Sequence, residues 1–142
     1  MIASIVRRRR SAAAMLVALA LAGCGSSTAA DQRVAVTTDQ REYRTGNLVT
    51  VTVTNVSDEP VGYNLCVHRI ERRTGDGWRV ASAFPPPGSA CVDILLTLQP
   101  GASTTIQVQL PQDLAAGVYR VRFESPVLAT PPFRVEPGFV LF

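Results

Sequence analysis

Residues 48–54 read Leu-Val-Thr-Val-Thr-Val-Thr, and so strict an alternation of β-branched residues constrains the chain more than any other feature. Successive side chains of a strand point to opposite faces, which puts Val49, Val51 and Val53 on one face and Thr50, Thr52 and Thr54 on the other. One face suits a core and the other suits water, as in a half-buried antiparallel sheet. Residues 103–110 repeat the pattern, with Thr104, Ile106, Val108 and Leu110 set against Thr105, Gln107 and Gln109. Residues 118–124 repeat it again: Tyr119, Val121 and Phe123 inward, Arg120, Arg122 and Glu124 outward.

Turn chemistry separates these runs. Arg44-Thr45-Gly46-Asn47 leads into the first alternating strand, and Asn55-Val56-Ser57-Asp58-Glu59-Pro60 follows it. Thr74-Gly75-Asp76-Gly77 divides residues 61–73 from 78–83, so the two runs read as a hairpin. Pro85-Pro86-Pro87-Gly88 opens a loop before Cys91, Gln99-Pro100-Gly101 turns into the 103–110 strand, and residues 133–135 form a last short strand. Helical periodicity free of Gly or Pro is absent beyond the N-terminal segment. Roughly seven or eight strands with frequent turns predict an all-β, immunoglobulin-like antiparallel sandwich.

The N-terminus carries a different message. Arg7 to Arg10 precede an apolar run from Ala12 to Ala22, the charged and apolar regions of an export signal. At about 1.5 Å per residue the run is too short to cross a bilayer core of about 30 Å. Its end, Leu21-Ala22-Gly23-Cys24, resembles the lipobox of bacterial lipoproteins. The resemblance implies cleavage before Cys24, diacylglyceryl on its sulfur and acylation of the new amine; an ordinary cleaved signal with a chance cysteine is the alternative. Gly25 after the cysteine implies outer-membrane sorting if the host has two membranes. The expected organisation is a signal peptide over 1–23, a flexible tether over 24–32, the sandwich over 33–136 and an apolar tail over 137–142.

Removing the signal changes the charge balance. The chain has 14 basic and 11 acidic residues, and the four arginines Arg7 to Arg10 more than account for the excess. What remains is near neutral, with no basic footprint for nucleic acid. About 120 residues would be left, one domain's worth, large enough to bury a proper core. With Cys24 lipidated, Cys66 and Cys91 are an even pair in an oxidising compartment and read as a disulfide. A metal or redox pair competes, but it would call for close Cys spacing or histidine neighbours, and His68 is the sole histidine.

Leu114-Ala115-Ala116-Gly117-Val118-Tyr119 resembles the tyrosine-corner segment of fibronectin type III and related sandwiches. Asn55-Val56-Ser57, Leu98-Gln99-Pro100-Gly101 and Gly117-Val118-Tyr119-Arg120 together resemble small bacterial Ig-like domains. With Gly77-Trp78 added, the same landmarks are similar to the intracellular proteinase inhibitor (BsuPI-type) family. The first resemblance implies a Tyr119 ring in the core with its hydroxyl returned to nearby backbone. Antibody-type domains carry a cysteine two residues after that tyrosine, where this chain has Val121. The cysteine pair is therefore expected to tie the 61–69 strand to a strand after the proline loop.

Residues able to do chemistry are few. A nucleophilic triad needs a base near Ser or Cys, and His68 lies between Val67 and Arg69 on a strand, where an outward-facing or satisfied structural role is expected. No phosphate loop or metal-ligand cluster is legible, and no cofactor is implied. Arg69, Arg72, Arg73 and Arg79, with Glu71 among them, read as a charge-blunted strand edge, or as a patch for an anionic partner. Trp78 is expected to pack on the core or a sheet face. Phe84, Pro85, Pro86 and Pro87 form the candidate binding loop, stiff enough to lose little entropy on docking. The ending Phe139-Val140-Leu141-Phe142 resembles that of outer-membrane barrel proteins, but a barrel needs longer alternating segments. It reads instead as a strand extension, a packed apolar tail or a docking tail.

The expected function is a membrane-anchored extracytoplasmic lipoprotein of the cell envelope, bound to the bilayer through Cys24, whose Ig-like domain is a binding or structural module and not an enzyme. A protein partner is expected. The alternatives are a protease inhibitor presenting residues 83–89 and, more distantly, a hydrolytic enzyme.

Overall fold

A computed structural model describes residues 33–138. The signal and tether read over residues 1–32, Cys24 among them, and the 139–142 part of the tail lie outside the described residues. Ten strands follow in order: β1 (Val34–Thr38), β2 (Glu42–Arg44), β3 (Leu48–Asn55), β4 (Val61–Thr74), β5 (Gly77–Phe84), β6 (Leu96–Leu98), β7 (Ser103–Gln109), β8 (Gly117–Ser125), β9 (Val127–Ala129) and β10 (Phe133–Glu136). They form two layers. One sheet runs β1-β3-β7; the other runs β2-β10-β8-β4-β5, with β6 added to β4 and β9 to β8. All pairings are antiparallel except β10 with β2. The expected sandwich is present.

The count exceeds seven or eight because β2 and β9 have three residues each, too few to show an alternation. Elsewhere the period of two was a faithful guide. Val49, Val51 and Val53 are fully buried and face Tyr119, Val121 and Phe123 of the other sheet's β8 within one core. Each such side chain contributes about 1.5–3 kcal/mol by leaving water. Tyr43, with its ring edge-on to Phe133 at 5.1 Å, closes the core at the β2 side. Its hydroxyl donates to Asp39 at 2.7 Å, and burial together with that bond raises its pKa to about 12.

Two polar groups fix the corners. Asn55 is fully buried, and its amide nitrogen donates to the Glu59 and Leu98 carbonyls at 2.7 and 2.9 Å while its oxygen accepts from the Ser57 amide and hydroxyl. One side chain thus joins the β3–β4 turn to the end of β6, which is why two separate turn motifs belong together. Tyr119 donates its hydroxyl to the Ala115 carbonyl at 2.7 Å, four residues back, as a tyrosine corner requires. Beside it Gly117 leaves room for Arg72, since a Cβ there would lie 2.9 Å from the guanidinium Nε. That close approach lets Arg72 donate to the Ala116 carbonyl at 2.8 Å.

Candidate functional site

The first sheet is three strands wide and the second five, so beyond β7 the inner face of β4 and β5 loses its cover. The gap is a groove of about 580 Å³ between the β7 edge and the β4–β5 face. Tyr63, Leu65, Ile70, Phe84, Leu96 and Ile106 supply its apolar walls, and no charged side chain lines it. Pockets of this size and character are ordinary ligand sites.

His68 forms part of the groove wall and is buried, so it is inward and structurally engaged, the second of the two roles expected for it. Its ring stacks on Phe84 at 5.1 Å and tilts against Phe123 at 5.8 Å. Nδ1 lies 2.9 Å from the Cys66 carbonyl, which can only accept, so Nδ1 carries the hydrogen. Burial holds the pKa below its ordinary value against the opposing pull of the Cys66 and Leu65 carbonyls. The unfolded chain therefore binds more protons between the folded pKa and about 6.5, and the domain loses stability as pH falls through that window. Thermal unfolding from pH 7.5 to 5.5 should show this loss, and His68→Phe should flatten it; an unchanged slope would place the titration elsewhere.

The predicted binding loop needs correction at both ends. Phe84 is the last residue of β5, paired with His68, and not part of the loop; alternation carried the strand up to the first proline. Cys91 is bonded to Cys66, as expected, with Cα atoms 5.8 Å apart, but it sits on no strand. The bond ties β4 to an irregular segment of residues 85–95, because the apolar run Val92-Asp93-Ile94-Leu95 has no sheet partner before β6. Pro86 and Pro87 are exposed and Pro85 is half-buried; the Ser89 amide closes a turn on the Pro86 carbonyl at 3.0 Å. Asn64 holds the far side by donating to the Val92 carbonyl at 3.0 Å, and Leu95 lies over Gly62.

This segment carries a feature the sequence reading missed. Val92, Ile94, Leu95 and Leu96 are all exposed, Val92 and Leu95 by about two thirds of their surface, and the exposed Phe84 of β5 lines the groove with Leu96. A run of that composition reads as core, yet Leu98 is buried while Leu96, on the same face of β6, is left half-exposed on the groove wall. Contiguous apolar surface of this kind marks interaction sites.

The arginines flanking the hairpin have local partners. Glu71 is buried and accepts from Arg120 at 2.7 Å, with Arg122 at 3.8 Å. Arg120 also lies 4.3 Å over the half-buried Trp78 ring, with Arg73 at 5.1 Å, so Trp78 packs on the outer sheet face. Arg69 pairs with Glu124 and Arg72 with the Ala116 carbonyl; Arg79 is exposed. The layer braces β4, β5 and β8. Among the described residues, no three His, Cys, Asp or Glu side chains gather as a metal site would need.

The chain is similar to a structure of the Pseudomonas fluorescens alkylpurine DNA glycosylase AlkC bound to DNA containing an abasic site analogue, at 14% identity and a TM-score of 0.42, covering 73% of this chain and 30% of that one. It is also similar to the Bacillus subtilis sporulation control protein Spo0M, at 16% identity and a TM-score of 0.43, covering 75% of this chain and 49% of that one. The chain thus spans less than half the length of either structure. No curated protein matches it. The profile of the bacterial Ig-like domain family matches residues 30–126, from before β1 to the end of β8, and the chain belongs to that family.

Proposed function

We propose that this protein is a lipid-anchored extracytoplasmic lipoprotein of the cell envelope whose Ig-like domain binds a protein partner through its apolar rim. The observation that carries the binding reading is the exposed run from Val92 to Leu96, held in place by a disulfide, a side-chain bond and strand β6. Ordered apolar surface loses little entropy on docking, which is what a recognition surface requires. The anchor rests on the order of arginines, apolar run and Leu21-Ala22-Gly23-Cys24, and the Cys66–Cys91 bond is consistent with an oxidising compartment. In a host with two membranes, Gly25 favours the outer one.

Cys24→Ser should abolish labelling by a radioactive fatty acid and release the protein from membranes; undiminished labelling would remove the anchor. The rim is tested by crosslinking in the native envelope. Pro86→Ser with Val92→Ser and Leu95→Ser should lose a specific partner with the fold intact, and an unchanged partner set would clear this surface.

A protease inhibitor is the second reading. The exposed Pro86-Pro87 turn, closed at its base by the Cys66–Cys91 bond, is the observation that favours it. A partner protease inhibited by wild type but not by Pro86→Ser would establish this reading. Partners without peptidase activity would dismiss it.

A further inference from the structure

β7 pairs with β3 on one side, and its other edge borders the groove. Its seven residues, Ser-Thr-Thr-Ile-Gln-Val-Gln, run without charge, proline or register shift. Sheet edges that avoid other chains are normally blunted by charges, prolines or bulges, and this one has none of them. The adjoining wall is uncharged as well. It also offers one oriented polar atom. His68 Nδ1 is committed to the Cys66 carbonyl, and no buried side-chain nitrogen or oxygen among the described residues lacks a partner. His68 Nε2, which has no hydrogen bond, therefore opens on the groove as an acceptor.

We infer that the groove takes an extended, uncharged peptide strand from a partner protein, which pairs its backbone with the edge of β7 that no strand among the described residues occupies and lays alternate apolar side chains over His68 and Phe84. This rests on the reading that the domain binds a protein partner, and adds to it a contact separate from Pro86, Val92 and Leu95 of the rim. An unpaired edge supplies a row of amide and carbonyl groups that an apolar small molecule cannot use, and main-chain pairing with pockets for alternate side chains is how strand addition gains affinity and specificity. The His68 acceptor suits an N–H or hydroxyl of the incoming strand.

The probe is the capped peptide acetyl-Thr-Val-Thr-Ile-Thr-Val-amide, added to the full exported chain bearing Cys24→Ser. Binding should slow amide exchange at alternate residues of β7 and shift the His68 ring signals. A copy N-methylated at every second residue, and a copy with glutamate for its apolar residues, should each bind at least about tenfold more weakly. Thr104→Glu, which puts a charge on the groove side of the edge, should do the same to the parent peptide. Equal binding of the N-methylated peptide would overturn strand addition, as would protection confined to β5. Faster β7 exchange on deleting residues 139–142, without any peptide, would make this chain's own segment the occupant and also overturn it. Pro86, Val92 and Leu95 do not line the groove, so loss of strand addition leaves the rim experiment standing, and the reverse.

Discussion

Replacing Tyr119 by alanine is expected to cost about 3–5 kcal/mol, the range for deleting a buried large aromatic. The ring is 1% exposed among Val121, Phe123 and Phe133, and sits at the centre of the core both sheets share. Its removal leaves a cavity that the surrounding side chains fill only in part. Tyr119→Phe keeps the ring and loses only the 2.7 Å bond to the Ala115 carbonyl, so about 0.5–1.5 kcal/mol is expected. Against a total of about 5–15 kcal/mol, the alanine protein should be near the edge of folding and the phenylalanine protein comfortably folded. Urea unfolding measures both, with the midpoint moving and the slope constant. Equal midpoints for all three proteins would contradict the corner.

The corner was legible because a tyrosine corner is local: a Gly-Val-Tyr run and a carbonyl four residues back lie on one short segment. The alternating strands were legible for a similar reason, since valines at Val49, Val51 and Val53 determine a face without reference to any partner strand. The groove was not legible, because it depends on where the sheets end. Nothing in Ser-Thr-Thr-Ile-Gln-Val-Gln announces that its far edge pairs with no other strand among the described residues. The exposure of Val92–Leu96 was not legible either: the strand expected after the proline loop came with no face assignment, and most of the stretch has no sheet partner that would fix one. Glu71 shows a third limit. Ile70 and Glu71 alternate regularly, Ile70 into the core and Glu71 to the outer face, yet Glu71 is buried too because Arg120 and Arg122 of β8 cover it. Periodicity gives the face a residue takes, and not what a neighbouring strand lays over that face.

Removing the disulfide is expected to act on two scales. Cys66 and Cys91 are 25 residues apart in sequence, and closing a loop of that length contributes about 3 kcal/mol in the chain-entropy account. The doubly substituted Cys66→Ala, Cys91→Ala protein should therefore lose about 2–5 kcal/mol, the usual range for small exported domains. Much of the enclosed loop is the β4–β5 hairpin, which keeps its own ladder. The local loss falls on residues 85–95, which have no strand pairing and would retain only the Asn64 bond to Val92 and the contact of Leu95 with Gly62. Amide exchange there should rise well before the sandwich unfolds, and partner binding through Val92 and Leu95 should weaken at temperatures where the core remains intact. Thiol alkylation read by mass spectrometry, with and without reductant, first tests the bond in wild-type protein taken from its native host. Two freely alkylated cysteines in that protein would refute the crosslink, and unchanged exchange at residues 85–95 in the variant would show that β6 and Asn64 suffice to hold the rim.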